Sequence, residues 1–121
     1  QAAVSAWSEA GAVQFFCQVP EARSVAVTAV LVSPGIDPEA IRSVARERFQ
    51  VAIAGGLGPL AGRVFRIGHL GDCNDLTLMA ALSGCEMGLK LAGIKLAGSG
   101  VQAAMDHFSS HAAVGPQRKA A

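Results

Sequence analysis

Apolar residues recur along this chain at two spacings, which predict helices and strands in alternation. A spacing of three to four residues predicts four helices, at residues 1–10, 37–49, 74–92 and 99–111. Alternating or continuous apolar runs predict four strands, at residues 13–18, 25–32, 51–54 and 63–68. The order of these elements predicts one α+β domain, in which helices cover a small, mostly antiparallel sheet.

Polar residues mark where two of these helices begin. Asp37, Pro38 and Glu39 supply a capping oxygen, a proline at the first helical position and a first-turn acid. Ser99 and Gln102 predict a capping box at the last helix. In the helix 37–49 the pattern buries one stripe and leaves the charged positions outside, namely Arg42, Arg46 and Glu47.

The predicted helix 74–92 is apolar nearly all round. One stripe consists of Leu78, Leu82, Cys85 and Leu89, and a second of Leu76, Met79, Ala80, Met87 and Leu91. A helix of this kind is usually buried on more than one side. We therefore expect one stripe to pack on the domain's own sheet and the other to need a partner.

Composition supports the need for a partner. Hydrophobic residues make up 51% of the 121 positions and charged residues only 16%, against about 25% charged in an average globular protein. Such a domain either oligomerises or is part of a larger body. The net charge of +1 and the absence of a basic run exclude nucleic acid and an acidic membrane surface as expected partners. No apolar run approaches the roughly 20 residues that span a bilayer.

The cysteines and the two ends of the chain complete this picture. Cys17, Cys73 and Cys85 show no CxxC spacing and fit reduced thiols of a cytoplasmic protein. The chain starts at Gln1 and its first helix has no capping residue, so we expect it to begin partway through a gene product. Residues 112–121 are expected to be a frayed tail.

Arg66 is the residue most suited to binding a ligand. It lies between Phe65 and Ile67 in a predicted strand, so its side chain points to the opposite face. An arginine in an apolar strand needs a counter-anion or must snorkel to an edge, and its planar fork matches a carboxylate. Three roles fit this pattern: ligand binding, an internal ion pair, or a snorkelling surface arginine.

Other polar residues have simpler explanations. The glycine-rich segment 55–62 lacks the lysine and the following helix of a phosphate loop, so a hairpin connection is favoured. His107 and His111 lie four residues apart without a third metal ligand nearby, and are predicted to be exposed. The chain's lysines lie in no apolar context suited to Schiff-base chemistry; they are Lys90, Lys95 and Lys119.

Motifs over some forty positions resemble a known family. The segments 55–59 (GGLGP) and 62–68 (GRVFRIG) resemble the small-domain motif of the serine–glyoxylate and alanine–glyoxylate aminotransferases. The segments 68–72 (GHLGD), 74–76 (NDL) and 84–89 (GCEMGL) are similar to the serine–glyoxylate branch. These enzymes are class V aminotransferases with the type I pyridoxal-phosphate fold. The chain departs from the family pattern at Cys73 and at Pro59-Leu60.

The resemblance implies a C-terminal small domain over residues 1–111, without the large cofactor-binding domain. It implies a homodimeric, cytoplasmic enzyme that uses pyridoxal 5'-phosphate to transfer an amino group from serine or alanine to glyoxylate. It also implies that Arg66 binds the α-carboxylate of the amino-acid or oxo-acid substrate.

In the family, the Schiff-base lysine, the aspartate facing the pyridine nitrogen and most phosphate ligands lie in the large domain. The isolated chain is therefore expected to be inactive, with no catalytic, cofactor-binding or metal-binding residue of its own. Two alternatives are a stand-alone module that binds organic acids through Arg66, and an interaction domain whose long helix docks a partner.

Overall fold

The computed structural model describes residues 1–112, which contain four α-helices and four antiparallel strands. In chain order they are α1 (Ala2–Ser8), β1 (Val13–Phe15), β2 (Val27–Val32), α2 (Pro38–Phe49), β3 (Ala54–Gly55), β4 (Val64–Gly68), α3 (Asp75–Leu91) and α4 (Gly100–His111). The sheet order is β1-β2-β4-β3, and each neighbouring pair is antiparallel. The predicted α+β class is confirmed. The predicted frayed tail lies outside the described residues apart from Ala112.

All four strands are shorter than the sequence predicts, and β1 and β3 have only half of their predicted length. β1 ends at Phe15, before the chain enters a 3-10 turn at Pro20–Ala22. β3 begins late because the Val51 N–H donates to the Ala45 carbonyl, which closes the C-terminal end of α2. Strand length here is set by the pairing partner and the preceding helix, and not by the apolar run alone.

Side-chain alternation divides the sheet into two unlike faces. The buried face joins the helices in one core that includes Val13, Phe15, Val30, Val32, Phe65, Ile67, Ile41, Ala45, Leu82, Cys85 and Leu89. On the opposite face Gln14, Val27, Ala29, Leu31, Ala54 and Arg66 are half or fully exposed. Val64 differs from these residues because the loop at Gly56 covers it. The helical layer therefore lies on one side of the sheet.

The long helix α3 packs closely on α2 and also contacts α4. A Cβ at Gly88 would lie 2.9 Å from the Ile41 carbonyl oxygen, so glycine allows α2 and α3 to approach this closely. The stripe containing Leu82 is buried as predicted, whereas Leu76 and Leu91 of the second stripe are 80% and 62% exposed. Met79 of this stripe packs against the core, so within residues 1–112 only part of the second stripe remains without a partner.

A buried carboxylate joins three of the helices. Glu86 of α3 is 5% exposed, and its Oε2 accepts hydrogen bonds from Trp7 Nε1 in α1 at 3.0 Å and from the Val101 N–H in α4 at 2.9 Å. Lys90 Nζ lies 3.4 Å from Oε1. Burial alone would raise the pKa of Glu86, but the hydrogen bonds from Trp7, the Val101 backbone, Ser99 and Lys90 outweigh it and lower this pKa.

The capping boxes differ from the prediction. Asn74 and Thr77 form a reciprocal capping box at the start of α3. At α4, Ser99 Oγ accepts from the Gln102 N–H at 3.1 Å, but the Gln102 side chain donates to Asp106 Oδ1 at 2.8 Å. The predicted capping box at Ser99 is therefore wrong in its second half, because Gln102 binds a carboxylate one turn further along the helix.

The contact between α4 and Trp7 predicts the cost of a single methyl group. A Cβ at Gly100 would lie 2.3 Å from Trp7 Nε1, whereas a Cβ at Gly98 would meet no heavy atom within 4 Å. Gly100→Ala should therefore lower the free energy of unfolding by about 1–3 kcal/mol through overpacking, and Gly98→Ala should leave it unchanged or slightly higher. Urea denaturation followed by Trp7 fluorescence measures both variants. Equal stabilities would contradict this packing.

The Glu86 carboxylate predicts a pH-dependent stability. The pKa of Glu86 in the folded chain lies below the ordinary value. The ionised carboxylate therefore adds to the free energy of unfolding above the pKa of the unfolded chain, and this contribution is lost as pH falls through the pKa of the folded chain. Glu86→Gln should lower the free energy of unfolding at pH 7 by about 1–3 kcal/mol, and its difference from the wild type should shrink in acid. The exposed Glu47 is the control, since Glu47→Gln should cost at most about 1 kcal/mol. A difference that stays constant with pH would refute this role.

Candidate functional site

Arg66 lies at the centre of β4, on the face opposite the helices, as the alternation predicts. Its neighbours in the ladder are Ala29 on β2 and Ala54 on β3. Both are small, so they leave room beside a half-buried guanidinium. The site is an open strip of sheet with one cation at its middle.

One hydrogen bond anchors the Arg66 guanidinium. Nε donates to the Gly55 carbonyl oxygen at 2.7 Å. Among residues 1–112 Arg66 forms no ion pair, and its terminal nitrogens form no further hydrogen bond; the ion pairs there are Arg42–Glu39, Arg46–Glu47 and Lys90–Glu86. The internal ion pair considered from the sequence is therefore not observed in the described residues. A guanidinium held at Nε presents its remaining N–H groups as a planar donor set suited to a carboxylate.

Arg42 is not on the solvent side, so this sequence prediction is wrong. Its side chain is 24% exposed and pairs with the Glu39 carboxylate. Arg42 Nε donates to the Ile53 carbonyl at 2.7 Å, just before β3. The sequence shows a Glu39–Arg42 pair at i, i+3 spacing, which indicates only a surface pair. No pattern in the sequence near Arg42 indicates that the Ile53 carbonyl, eleven residues later, accepts a hydrogen bond from it.

The glycine-rich segment 55–62 connects β3 to β4, which confirms the predicted hairpin. Gly58 and Gly62 have φ values of 54° and 75°, in the left-handed region that favours glycine. At Gly56, a Cβ would lie 2.1 Å from the Leu60 carbonyl oxygen. The loop folds tightly on itself and leads directly into the strand that carries Arg66.

His69 follows β4, and its two ring nitrogens contact β2 and the residues just before it. Nδ1 lies 3.0 Å from the Val25 carbonyl, which can only accept, so Nδ1 carries the proton. Nε2 lies 2.8 Å from Thr28 Oγ1 and, in the neutral ring, accepts from that hydroxyl. Thr28 and His69 border a cavity of about 500 Å³ on the helical side of the sheet, lined mainly by apolar residues such as Leu82 and Phe108. This cavity lies across the sheet from the Arg66 side chain.

His107 and His111 are exposed, as predicted, and their rings stack with centroids 4.1 Å apart. In the described part of the chain, no three His, Cys, Asp or Glu side chains come together as a metal site. None of the described helices combines the length and apolar character needed to cross a membrane.

Comparison with known proteins shows similarity to several aminotransferases. No family model matches the chain. It is 42% identical over 107 residues to the serine–glyoxylate aminotransferase of Methylorubrum extorquens, covering 88% of this chain and 26% of that protein. It is 40% identical over 123 residues to the L-aspartate–glyoxylate aminotransferase of Paracoccus denitrificans, covering 100% of this chain and 30% of the relative.

Solved structures agree with the sequence relatives. Pyridoxamine–pyruvate aminotransferase from Mesorhizobium loti matches 92% of this chain and 28% of its own, with a TM-score of 0.81 and 31% identity. Ureidoglycine–glyoxylate aminotransferase from Bacillus subtilis matches 89% of this chain and 28% of its own, with a TM-score of 0.75 and 33% identity. The chain thus spans under a third of these proteins. The similarity confirms the resemblance seen in the sequence motifs and the fold that it implied.

Proposed function

We propose that this chain, which is homologous to the class V aminotransferases over less than a third of their length, is the C-terminal small domain of a glyoxylate aminotransferase. The enzyme would transfer an amino group from serine or alanine to glyoxylate, with residues 1–111 forming the domain. Its partners would be a large domain of the same polypeptide and a second subunit. The homologous family is pyridoxal-phosphate-dependent, and in the proposed enzyme the large domain would hold that cofactor.

The observation that carries this proposal is the state of Arg66. Its guanidinium is half-buried, held at Nε by the Gly55 carbonyl, flanked by small residues, and without an anionic partner among residues 1–112. Serine, alanine and glyoxylate share only one anionic group, the carboxylate. Arg66 would bind that group and orient the reacting carbon, which is the positioning contribution a small domain can make.

The described residues do not fit covalent attachment of pyridoxal phosphate. Lys90 is exposed and lies 3.4 Å from Glu86 Oε1, and Lys95 is also exposed. Lys119 lies outside the described residues. When bound elsewhere in the enzyme, the cofactor supplies an electron sink for bond breaking at the substrate carbon. The task proposed for this chain is binding and orientation of the substrate carboxylate.

The exposed stripe of α3 favours a second candidate function. Leu76 and Leu91 would serve an interaction domain as well as a part of an enzyme, and Arg66 would equally serve a stand-alone binder of organic acids.

The complete reading frame containing this sequence separates these candidates. Purified protein from that frame should form glycine from glyoxylate with serine or alanine as donor, with aspartate and ureidoglycine tested beside them. Absence of any transamination would favour a binding module.

The isolated 121-residue chain should be catalytically silent and should not attach pyridoxal phosphate. Neither described lysine has a pocket, so an imine formed there would be exposed and weak. Titration with the cofactor should give no stoichiometric absorbance band, and borohydride treatment followed by mass spectrometry should find no single modified lysine. Free Nα-acetyl-lysine is the reference for nonspecific reaction. A stoichiometric adduct on one lysine would overturn this expectation.

In the proposed whole enzyme, Arg66→Ala should lower kcat/KM about 10²–10³-fold for every carboxylate substrate, since a bidentate charged contact is worth on the order of 2–4 kcal/mol. Arg66→Lys should also impair the enzyme, because it keeps the charge but loses the fork. Cofactor absorbance should stay normal. Arg63→Ala is the matched control, because Arg63 is exposed just before β4.

The same variants test a purely structural role of Arg66. Thermal midpoints and kcat/KM should be measured on each protein. A lowered midpoint with unchanged kinetics in Arg66→Ala would end the carboxylate-binding interpretation.

A further inference from the structure

Two arginines bind backbone carbonyls of the same short segment, residues 53–55, at the edge of the sheet. Arg42 of α2 donates from Nε to the Ile53 carbonyl at 2.7 Å, and Arg66 of β4 donates from Nε to the Gly55 carbonyl at 2.7 Å. Arg42 comes from the helical layer, whereas Arg66 lies on the other face of the sheet. The two side chains therefore clamp the segment around β3 from two directions.

This segment needs such support. β3 has only two residues, Ala54 and Gly55, and is hydrogen-bonded to β4 alone. An edge strand this short has few ladder bonds to fix its position. The Gly55 carbonyl is also the only hydrogen-bond partner of the Arg66 guanidinium among the described residues. Any shift of β3 moves the anchor of Arg66.

Gly55 brings the two arginines to one residue. A Cβ at Gly55 would lie 2.9 Å from Arg42 Nη1, so the guanidinium of Arg42 occupies the space that a side chain would fill. Glu39 pairs with that same Nη1. The ion pair satisfies the charge of Arg42 within the chain, whereas Arg66 has no such acid among residues 1–112.

We propose that Arg42 is a positioning residue for the substrate carboxylate. It holds β3 through the Ile53 carbonyl and through contact at Gly55, and thereby fixes the carbonyl that orients the Arg66 guanidinium. The Glu39–Arg42 pair supports the site from behind and does not itself bind the anion. This inference rests on the proposed function of Arg66, but the clamp can be measured without any ligand.

The test is NMR of the arginine Nε–H groups in the 121-residue chain. In the wild type the Arg66 Nε–H should exchange slowly with water because it is bound to Gly55. Arg42→Ala should speed this exchange and should reduce the shift of the Arg66 signal per millimolar glyoxylate about tenfold, the lower end of what loss of an orienting partner costs at metal sites. Arg46→Ala removes the same charge one turn along α2 and should change neither quantity.

A second variant, Gly55→Ala, tests the clamp even where Arg42→Ala does not fold. Gly55→Ala keeps every charge but places a methyl group where Arg42 Nη1 lies, so it should also speed Arg66 Nε–H exchange. Unchanged exchange in both Arg42→Ala and Gly55→Ala, with amide spectra that show a folded chain, would overturn the positioning role. Faster exchange in the two variants, together with a wild-type Arg66 signal that does not respond to glyoxylate, would leave the clamp standing and overturn the proposed role of Arg66.

Discussion

The hydrogen bonds to the buried Glu86 carboxylate are the constraint on which the helical layer depends. Trp7 and Glu86 lie 79 residues apart, yet the indole of α1 and the first turn of α4 both donate to one oxygen of this group. Burying a carboxylate is costly unless its oxygens are satisfied. Only an arrangement that brings α1, α3 and α4 together meets that requirement, and Gly100 supplies the space for it.

The one-sided helical layer determines where the candidate site can form. With Phe65 and Ile67 buried under the helices, Arg66 between them must face the other side of the sheet. Because strand side chains alternate, a register slip of one residue would place this arginine in the core and move both apolar neighbours to the open face. The core therefore fixes the orientation of Arg66, and the small neighbours Ala29 and Ala54 leave it accessible.

Sequence reasoning succeeded where the signal is local and failed where it is not. The orientation of Arg66 follows from alternation, and the hairpin at 55–62 follows from glycine chemistry. The partners of Glu86 and the bond from Arg42 to Ile53 join positions that share no local pattern. Strand ends were mispredicted for the same reason, since the start of β3 depends on the bond from the Val51 N–H to the Ala45 carbonyl at the end of α2. Side-chain contacts across the fold are decided by which carbonyls and carboxylates remain unsatisfied once the elements pack.

The buried and half-buried charged groups differ in how many hydrogen-bond and ion-pair partners the chain itself provides. Glu86 has donors from three helices, and Arg42 has both an acid and a carbonyl. Arg66 has a single carbonyl and, among residues 1–112, no acid. Since a charge withdrawn from water needs a partner, Glu86 and Arg42 are explained by the fold, whereas the unpartnered guanidinium nitrogens of Arg66 are not fully buried and can donate to water or to a ligand at the open face. A carboxylate bound against the open face of β4 would complete the hydrogen bonds of Arg66, and it is the group that the proposed donors and acceptor share.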